Sequence, residues 1–315
     1  MNVRRRLIPM IAAAGALAAL SACSTDSAAA GGTGKFDVVA SFYPMAFLAE
    51  QIGGDHVSVT SLTQPGQEPH DLEISAKQTA QLQESDAVLY LKNLQPSVDE
   101  AVAQAGVKTT IDAATLTSLE KHGNEVGGHA AEHDDEHGEE AGGKDPHIWL
   151  DPVKYSEVAK GVGAAFEKAD PDHAADYKAN TAALVKKLDA LNTRFEDGLK
   201  NTDSKVFITT HAAFGYLAER YGLTEEAING LDPESEPSAN RVKDLEKMAK
   251  ADGVTTVFYE TLVSDKTAKT IASDAGLKTD VLDPIEGITE KSRGKDYFAV
   301  QEANLKALQA ALGAK

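Results

Sequence analysis

The stretch DPDHAADYKANTAALVKKLDALNTRFEDGL, residues 170–199, decides how the rest of the chain is organised. Asp170-Pro171 reads as a helix start, a capping residue followed by the ring that suits the first helical position. From there Tyr177, Leu184, Leu188, Leu191, Phe195 and Leu199 recur at mostly three- and four-residue steps, the spacing of one apolar helical stripe. The spacing predicts one continuous amphipathic helix over 170–201, on the order of 40–50 Å long at a rise of about 1.5 Å per residue. Such a helix carries no chemistry of its own. It reads as a rigid strut between two lobes, letting them move only slightly against each other.

On both sides of the strut, short apolar runs alternate with helical patterns. Strands are expected at Phe36–Ser41, Val57–Leu62, Ala87–Leu91, Lys108–Ile111, Lys205–Thr210, Thr255–Tyr259 and Lys278–Leu282. Helices are expected at Met45–Ile52, Ser75–Glu84, Ser97–Ala105, Ala212–Tyr221, Arg241–Ala251, Ser264–Ala275 and Asp296–Leu312. Strand and helix in repeated alternation is the signature of parallel α/β sheets. The expected organisation is an α/β lobe over 35–169, the linking helix over 170–201, and a second α/β lobe over 202–315. A chain of this length can bury two cores.

The N-terminus speaks to compartment. Arg4, Arg5 and Arg6 precede an apolar segment from Leu7 to Leu20, then Ser21-Ala22-Cys23. A basic start, a short apolar region and small residues make an export signal, too short to span a bilayer as a mature helix. Leu20-Ser21-Ala22-Cys23 resembles a bacterial lipoprotein box, which implies cleavage after residue 22 and lipidation of the Cys23 thiol. The lipid would anchor the protein to the outer face of the cell membrane, with residues 23–34 as a flexible tether. Cys23 is the single cysteine, so neither disulfides nor thiolate ligands are available to the domain. The formal charge of −18 becomes about −21 once the three arginines of residues 1–22 are gone. A surface so acidic repels nucleic acid and anionic headgroups while raising the local concentration of cations.

Histidine placement points to metal. His122, His129, His133 and His137 lie in one acidic, glycine-rich tract over 121–143, whereas His70, His147 and His211 stand alone. A tract of that composition suits a weak, mobile collector of metal, and it is equally the composition of solvated disorder. The isolated histidines are of another kind. His211 closes the strand Phe207-Ile208-Thr209-Thr210, His70 follows the strand ending near Leu62, and Pro69 and Pro146 restrict the backbone beside His70 and His147. Ligands of open α/β sheets gather beyond the carboxyl ends of strands, and neutral imidazole is a common ligand for zinc and copper.

Six stretches carry a family resemblance: Ala40-Ser41-Phe42-Tyr43-Pro44, Gly66-Gln67-Glu68-Pro69-His70, Asp86-Ala87-Val88-Leu89-Tyr90, Asp145-Pro146-His147-Ile148-Trp149-Leu150, Thr210-His211-Ala212-Ala213-Phe214 and Glu234-Ser235-Glu236-Pro237-Ser238. In this order, over nearly all of the chain from Lys35, the sequence resembles the ZnuA/AdcA-type zinc-binding lipoproteins of bacterial ABC importers. The resemblance implies two pseudo-symmetric α/β lobes joined by a long helix, with Zn(II) in the cleft. It further implies a monomer that delivers zinc to a membrane permease driven by a cytoplasmic ATPase. Carried across by residue, it places imidazole ligands at His70, His147 and His211. The fourth ligand falls on Glu286, with Asp283 as the alternative that manganese-binding and some zinc-binding relatives suggest. Glu260, at the end of the strand Thr256–Tyr259, is either a carboxylate partner for a ligating histidine or a solvated glutamate.

These positions are separated by 77, 64 and 75 residues, so the metal would bridge parts of the fold that are distant in sequence. Three nitrogens and one oxygen suit tetrahedral zinc, whereas manganese prefers more oxygens. Related manganese binders place a carboxylate where His211 stands, so zinc is expected and a manganese-binding protein is the alternative. A surface zinc scavenger or adhesin is another. A zinc hydrolase would need an open coordination position. The chain has no His-Glu-x-x-His pair on a helix, and no enzyme activity is expected.

Overall fold

The computed structural model describes residues 34–122 and 144–315. The expected signal segment, Cys23, nearly all of the tether, and His129, His133 and His137 lie outside the described residues. The first half of the chain runs β1 (Phe36–Ala40), α1 (Tyr43–Gly53), β2 (Val57–Ser61), α2 (Ala76–Glu84), β3 (Ala87–Tyr90), α3 (Pro96–Ala105) and β4 (Thr109–Asp112). Two helices follow, α4 (Pro152–Ala169) and α5 (Ala174–Leu199). The second half runs β5 (Val206–Thr209), α6 (Gly215–Tyr221), β6 (Thr224–Ala227), α7 (Ala239–Ala251), β7 (Thr256–Tyr259), α8 (Lys266–Ala275), β8 (Lys278–Val281) and α9 (Tyr297–Leu312).

Each half contains one four-stranded parallel sheet, ordered β2-β1-β3-β4 and β6-β5-β7-β8. The two orders are the same permutation, which is the two-lobed α/β architecture with its internal pseudo-symmetry. In both halves the chain steps outward from the first strand, then crosses back to its other side. That reversal opens a crevice beyond the carboxyl ends of the strands.

The linking helix α5 buries Tyr177, Leu184, Leu188, Leu191, Phe195 and Leu199, the same stripe its spacing predicts. Its 26 residues correspond to roughly 39 Å. It begins at Ala174 rather than at Pro171, because residues 171–173 form a single turn of tighter helix. The Asp170 carboxylate does not cap α5. It accepts from the Tyr177 hydroxyl at 2.6 Å and lies 2.7 Å from His173 Nδ1.

Two elements were hidden from the pattern of the sequence. α4 starts on a cap-and-proline pair, Asp151-Pro152, with the Asp151 carboxylate accepting from the Val153 amide. It packs along α5 so closely that a Cβ on Gly163 would collide with the Thr181 side chain. β6 is Thr-Glu-Glu-Ala, a poor strand sequence by composition. It holds because both acids find partners: Glu225 accepts from Thr209 Oγ1 and the Phe214 amide, and Glu226 pairs with Arg241.

The two-core expectation is also revised. One continuous core takes in Val38 and Leu89 of the first sheet, Phe207 and Phe258 of the second, and the buried faces of α1, α4, α5 and α9. Smaller clusters lie around Val39, Val88 and Val98 in the first half, and around Ile208, Val257 and Ile271 in the second. Residues 34–315 accordingly form one compact unit. Among the described residues no helix is long and apolar enough to cross a membrane.

Candidate metal centre

Four side chains meet where the two sheets present their carboxyl ends. His70 stands in the loop after β2, His211 two residues after β5, and Glu286 in the loop after β8. His147 comes from the segment ahead of α4. Their nearest donor atoms all lie within 4.8 Å of one another. The Nε2 atoms of His70, His147 and His211 face a single oxygen, Glu286 Oε1, at 3.2, 3.5 and 3.6 Å. The imidazole centroids are 5.3–5.9 Å apart, and His147, His211 and Glu286 are buried.

The opposite nitrogens of two imidazoles are tied down. His147 Nδ1 lies 2.7 Å from Asp145 Oδ1, which also accepts from the His147 amide at 2.9 Å. His211 Nδ1 lies 2.9 Å from Glu260 Oε1, which also accepts from the Thr210 hydroxyl at 2.7 Å. A ring that donates from Nδ1 to a carboxylate leaves its Nε2 lone pair free for a metal. His147 Nε2, His211 Nε2 and Glu286 Oε2 are buried with no hydrogen-bond partner among the described residues. Orphaned buried polar atoms are costly, and here three of them converge.

The electrostatics match. Burial would raise the Glu286 carboxyl, yet the facing imidazoles of His147, His211 and His70 hold it well below the usual carboxylate range. Burial would lower His211, yet Glu260 and Glu286 hold it well above an ordinary imidazole. His147 is raised in the same way, against its burial, by Asp145 and Glu286. The cluster thus gathers positive charge around a fixed anion, and a divalent cation can take the place of the protons.

The loop bearing Glu286 is built for it. Asp283 Oδ1 accepts from the Ile285 amide, its Oδ2 accepts from Thr261, and Asn304 brackets its backbone on both sides. Burial pushes the Asp283 carboxyl up to about 6. Asp283 is therefore engaged in holding the turn, and Glu286 is the carboxylate brought among the imidazoles. Ile285 sits at φ 59°, an expensive conformation for a β-branched residue, which aims the next side chain inward.

The His147 segment, though it leads into α4, is fastened to the second half of the chain. Trp149 Nε1 donates to Pro284 O at 2.7 Å, and Tyr297 donates to Trp149 O at 2.6 Å. Arg220 binds the Asp151 carboxylate through Nε and Nη2, and Tyr216 donates to Asp145 O. His70 is held differently, by Glu68, whose carboxylate oxygens accept from the His70 and Asp71 amides.

Asp145 is the residue the sequence analysis missed. It is completely buried, and its only signal in the sequence is its place two residues ahead of a candidate ligand in Asp-Pro-His. His122, expected as part of the collecting tract, sits with its two ring nitrogens toward Asp145 Oδ2 and Glu219 Oε2. A nearby cavity of about 760 Å³, walled by Glu120, His122, Glu219, Glu225 and Arg241, is lined by none of the four clustered residues.

Residues 38–311 match the family model described as zinc-uptake complex component A, periplasmic. The chain is 36% identical over 298 residues to the zinc-binding lipoprotein AdcA of Streptococcus pneumoniae, covering 92% of this chain and 58% of that protein. It is 35% identical over 305 residues to the high-affinity zinc uptake system protein ZnuA of Bacillus subtilis, covering 94% and 93%. Among solved structures, the Zn(II)-bound ZnuA-like domain of S. pneumoniae AdcA aligns with a TM-score of 0.73 at 34% identity, over 89% of this chain and 99% of that one. The laminin-binding protein Lmb of Streptococcus agalactiae, described as having adhesin and metal-transporting activity, aligns at 0.76 and 29%, over 88% and 99%.

Proposed function

The chain belongs to the zinc-uptake complex component A family, and from that premise we propose that it captures Zn(II) outside the cytoplasm and passes it to an ABC importer. The family is one of non-enzymatic zinc-binding transport components. The chain spans little more than half the length of AdcA, and the reading applies to what its own residues can do. Zinc is cargo here, bound and released, rather than a resident cofactor.

The observation that carries the reading is the convergence of three Nε2 atoms on Glu286 Oε1, with two of the rings fixed from behind by Asp145 and Glu260. His70, His147, His211 and Glu286 would bind as three nitrogens and one oxygen, a closed tetrahedral set suited to zinc over manganese. With Glu286 bound, no position stays open for an attacking water. Lipidation at Cys23 would keep the protein at the outer face of the cell membrane, beside the permease and its cytoplasmic ATPase, as a monomer.

Native mass spectrometry with competing Zn(II) and Mn(II) tests the assignment. The wild type should take one tight zinc in preference to manganese, and His211→Ala should lose it. A tight zinc that persists in His211→Ala, or manganese that displaces zinc, overturns the ligand set.

A further inference from the structure

His122 stands at the start of the histidine-rich tract, yet its surroundings are those of a built position. Its Nδ1 lies 2.8 Å from Asp145 Oδ2, and its Nε2 lies 3.3 Å from Glu219 Oε2. The ring meets Tyr216 edge-on, with centroids 4.5 Å apart and planes at 90°. It lies over Gly215, where a Cβ would come within 2.5 Å of the His122 Cγ. The missing side chain at Gly215 is therefore the space the imidazole fills.

The same residues enclose Asp145. The Asp145 amide donates to Glu120 O, and Tyr216 donates to Asp145 O while accepting from the Glu120 amide. Asp145 is completely buried, and its two carboxylate oxygens divide their work: Oδ1 takes the His147 amide and Nδ1, and Oδ2 takes His122. Glu260, which does for His211 what Asp145 does for His147, has no such second donor among the described residues. Its Oε1 takes both His211 and Thr210, and its Oε2 is buried with no hydrogen-bond partner among those residues. A carboxylate held at one oxygen can rotate about its last bond; one held at both cannot.

We propose that His122 is a positioning residue for zinc binding: by donating from Nδ1 to Asp145 Oδ2 it fixes the carboxylate that orients His147. This rests on the reading of His147 as a zinc ligand. His122 is then a part of the tight site's scaffold, and not a member of the collecting tract that follows it in sequence. Removing the donor leaves Asp145 buried with one oxygen unpartnered and His147 free to turn, so metal affinity falls while the number of tight ions stays at one.

Substitutions separate this role from direct metal binding. The side-chain nitrogen of asparagine takes the place of Nδ1, whereas that of glutamine reaches toward the place of Nε2. Neither amide is a good zinc ligand. Zinc dissociation constants by chelator competition, at one pH and on the full chain, should show His122→Ala weakened roughly tenfold, the scale of losses for groups that orient metal ligands. His122→Asn should lie close to the wild type, and His122→Gln should be as weak as His122→Ala. Affinity unchanged in His122→Ala, or an Asn variant no better than Gln, overturns the proposal. Should His122→Ala fail to fold, the Asn–Gln pair decides alone. A wild type without tight zinc would instead overturn the ligand set itself, so the two failures are distinguishable.

Discussion

The two halves of the molecule share a strand order and differ in what they give to the candidate metal centre. The second half supplies His211 and Glu286, along with Glu260 behind His211. It also holds the His147 segment through Trp149–Pro284, Tyr297–Trp149, Arg220–Asp151 and Tyr216–Asp145. The first half supplies His70 alone, on a loop folded around its own Glu68. Three donors thus belong to one hydrogen-bonded frame, and the fourth approaches from outside it. Identical topology does not distribute function equally, because donors sit in loops and loops are where the halves diverge.

The largest expected effect tests that division directly. His147→Ala and His211→Ala should each lower zinc affinity by more than the roughly 100-fold upper range of losses for supporting residues, measured by chelator competition. His70→Ala should cost less, since His147, His211 and Glu286 stay assembled. Equal losses for His70→Ala and His211→Ala would break the comparison.

Next in size are the carboxylates behind the rings. Asp145→Asn and Glu260→Gln should each weaken zinc by about 10- to 100-fold, with one tight ion still bound. A change smaller than twofold in both would mean that the rings are held by packing alone.

Acidification should weaken binding as well, and the sign follows from the protons displaced. His147 and His211 hold protons more tightly than ordinary imidazole because of Asp145, Glu260 and Glu286, and each must shed its Nε2 proton to bind metal. Glu286 is held well below the carboxylate range and stays ionised. Affinity should therefore rise with pH through and above the ordinary histidine range, by up to about one logarithmic unit per pH unit for each protonated imidazole. Isothermal titration in buffers of different ionisation enthalpy counts those protons. No proton release at pH 6 would contradict the charge pattern.

The shared core offers a stability test distant from the metal. Gly163→Ala forces α4 away from Thr181 on α5 and should cost about 1–3 kcal/mol, as overpacking does, read as a lowered Tm of the metal-free protein. The zinc stoichiometry should not change. The smallest effect on the tight site is expected from deleting residues 123–143, which leaves His122 in place. Zinc affinity should stay within about threefold, well inside the range for supporting groups, and uptake at limiting zinc would report any collecting role of the tract.

Much of this was legible in the sequence. The stripe Tyr177–Leu199 identified the linking helix because helical periodicity survives in any helix with one buried face. Seven of the eight strands among the described residues fell on segments expected to be strands. β6 did not, since Thr-Glu-Glu-Ala is stabilised by Thr209, the Phe214 amide and Arg241, partners that no local pattern reveals. Burial without full compensation leaves its mark, and the Glu225 carboxyl is pushed up to about 7. The three histidines were visible as isolated imidazoles near strand ends and prolines. Glu286 was favoured over Asp283 by the family resemblance and not by local pattern, because a carboxylate that holds a turn and one that faces a cleft look the same in one dimension.

By itself, the sequence determined the alternation of strands and helices, the strut between the halves, and the residue types able to bind zinc. Those are properties of local spacing and side-chain chemistry. Tertiary structure alone decided that the two halves share one core, that Glu286 meets the imidazoles while Asp283 supports its loop, and that Asp145 and His122 stand behind His147. Apart from the local Asp145–His147 and Asp283–Ile285 hydrogen bonds, those are contacts between residues far apart in the chain, and burial sets their energies.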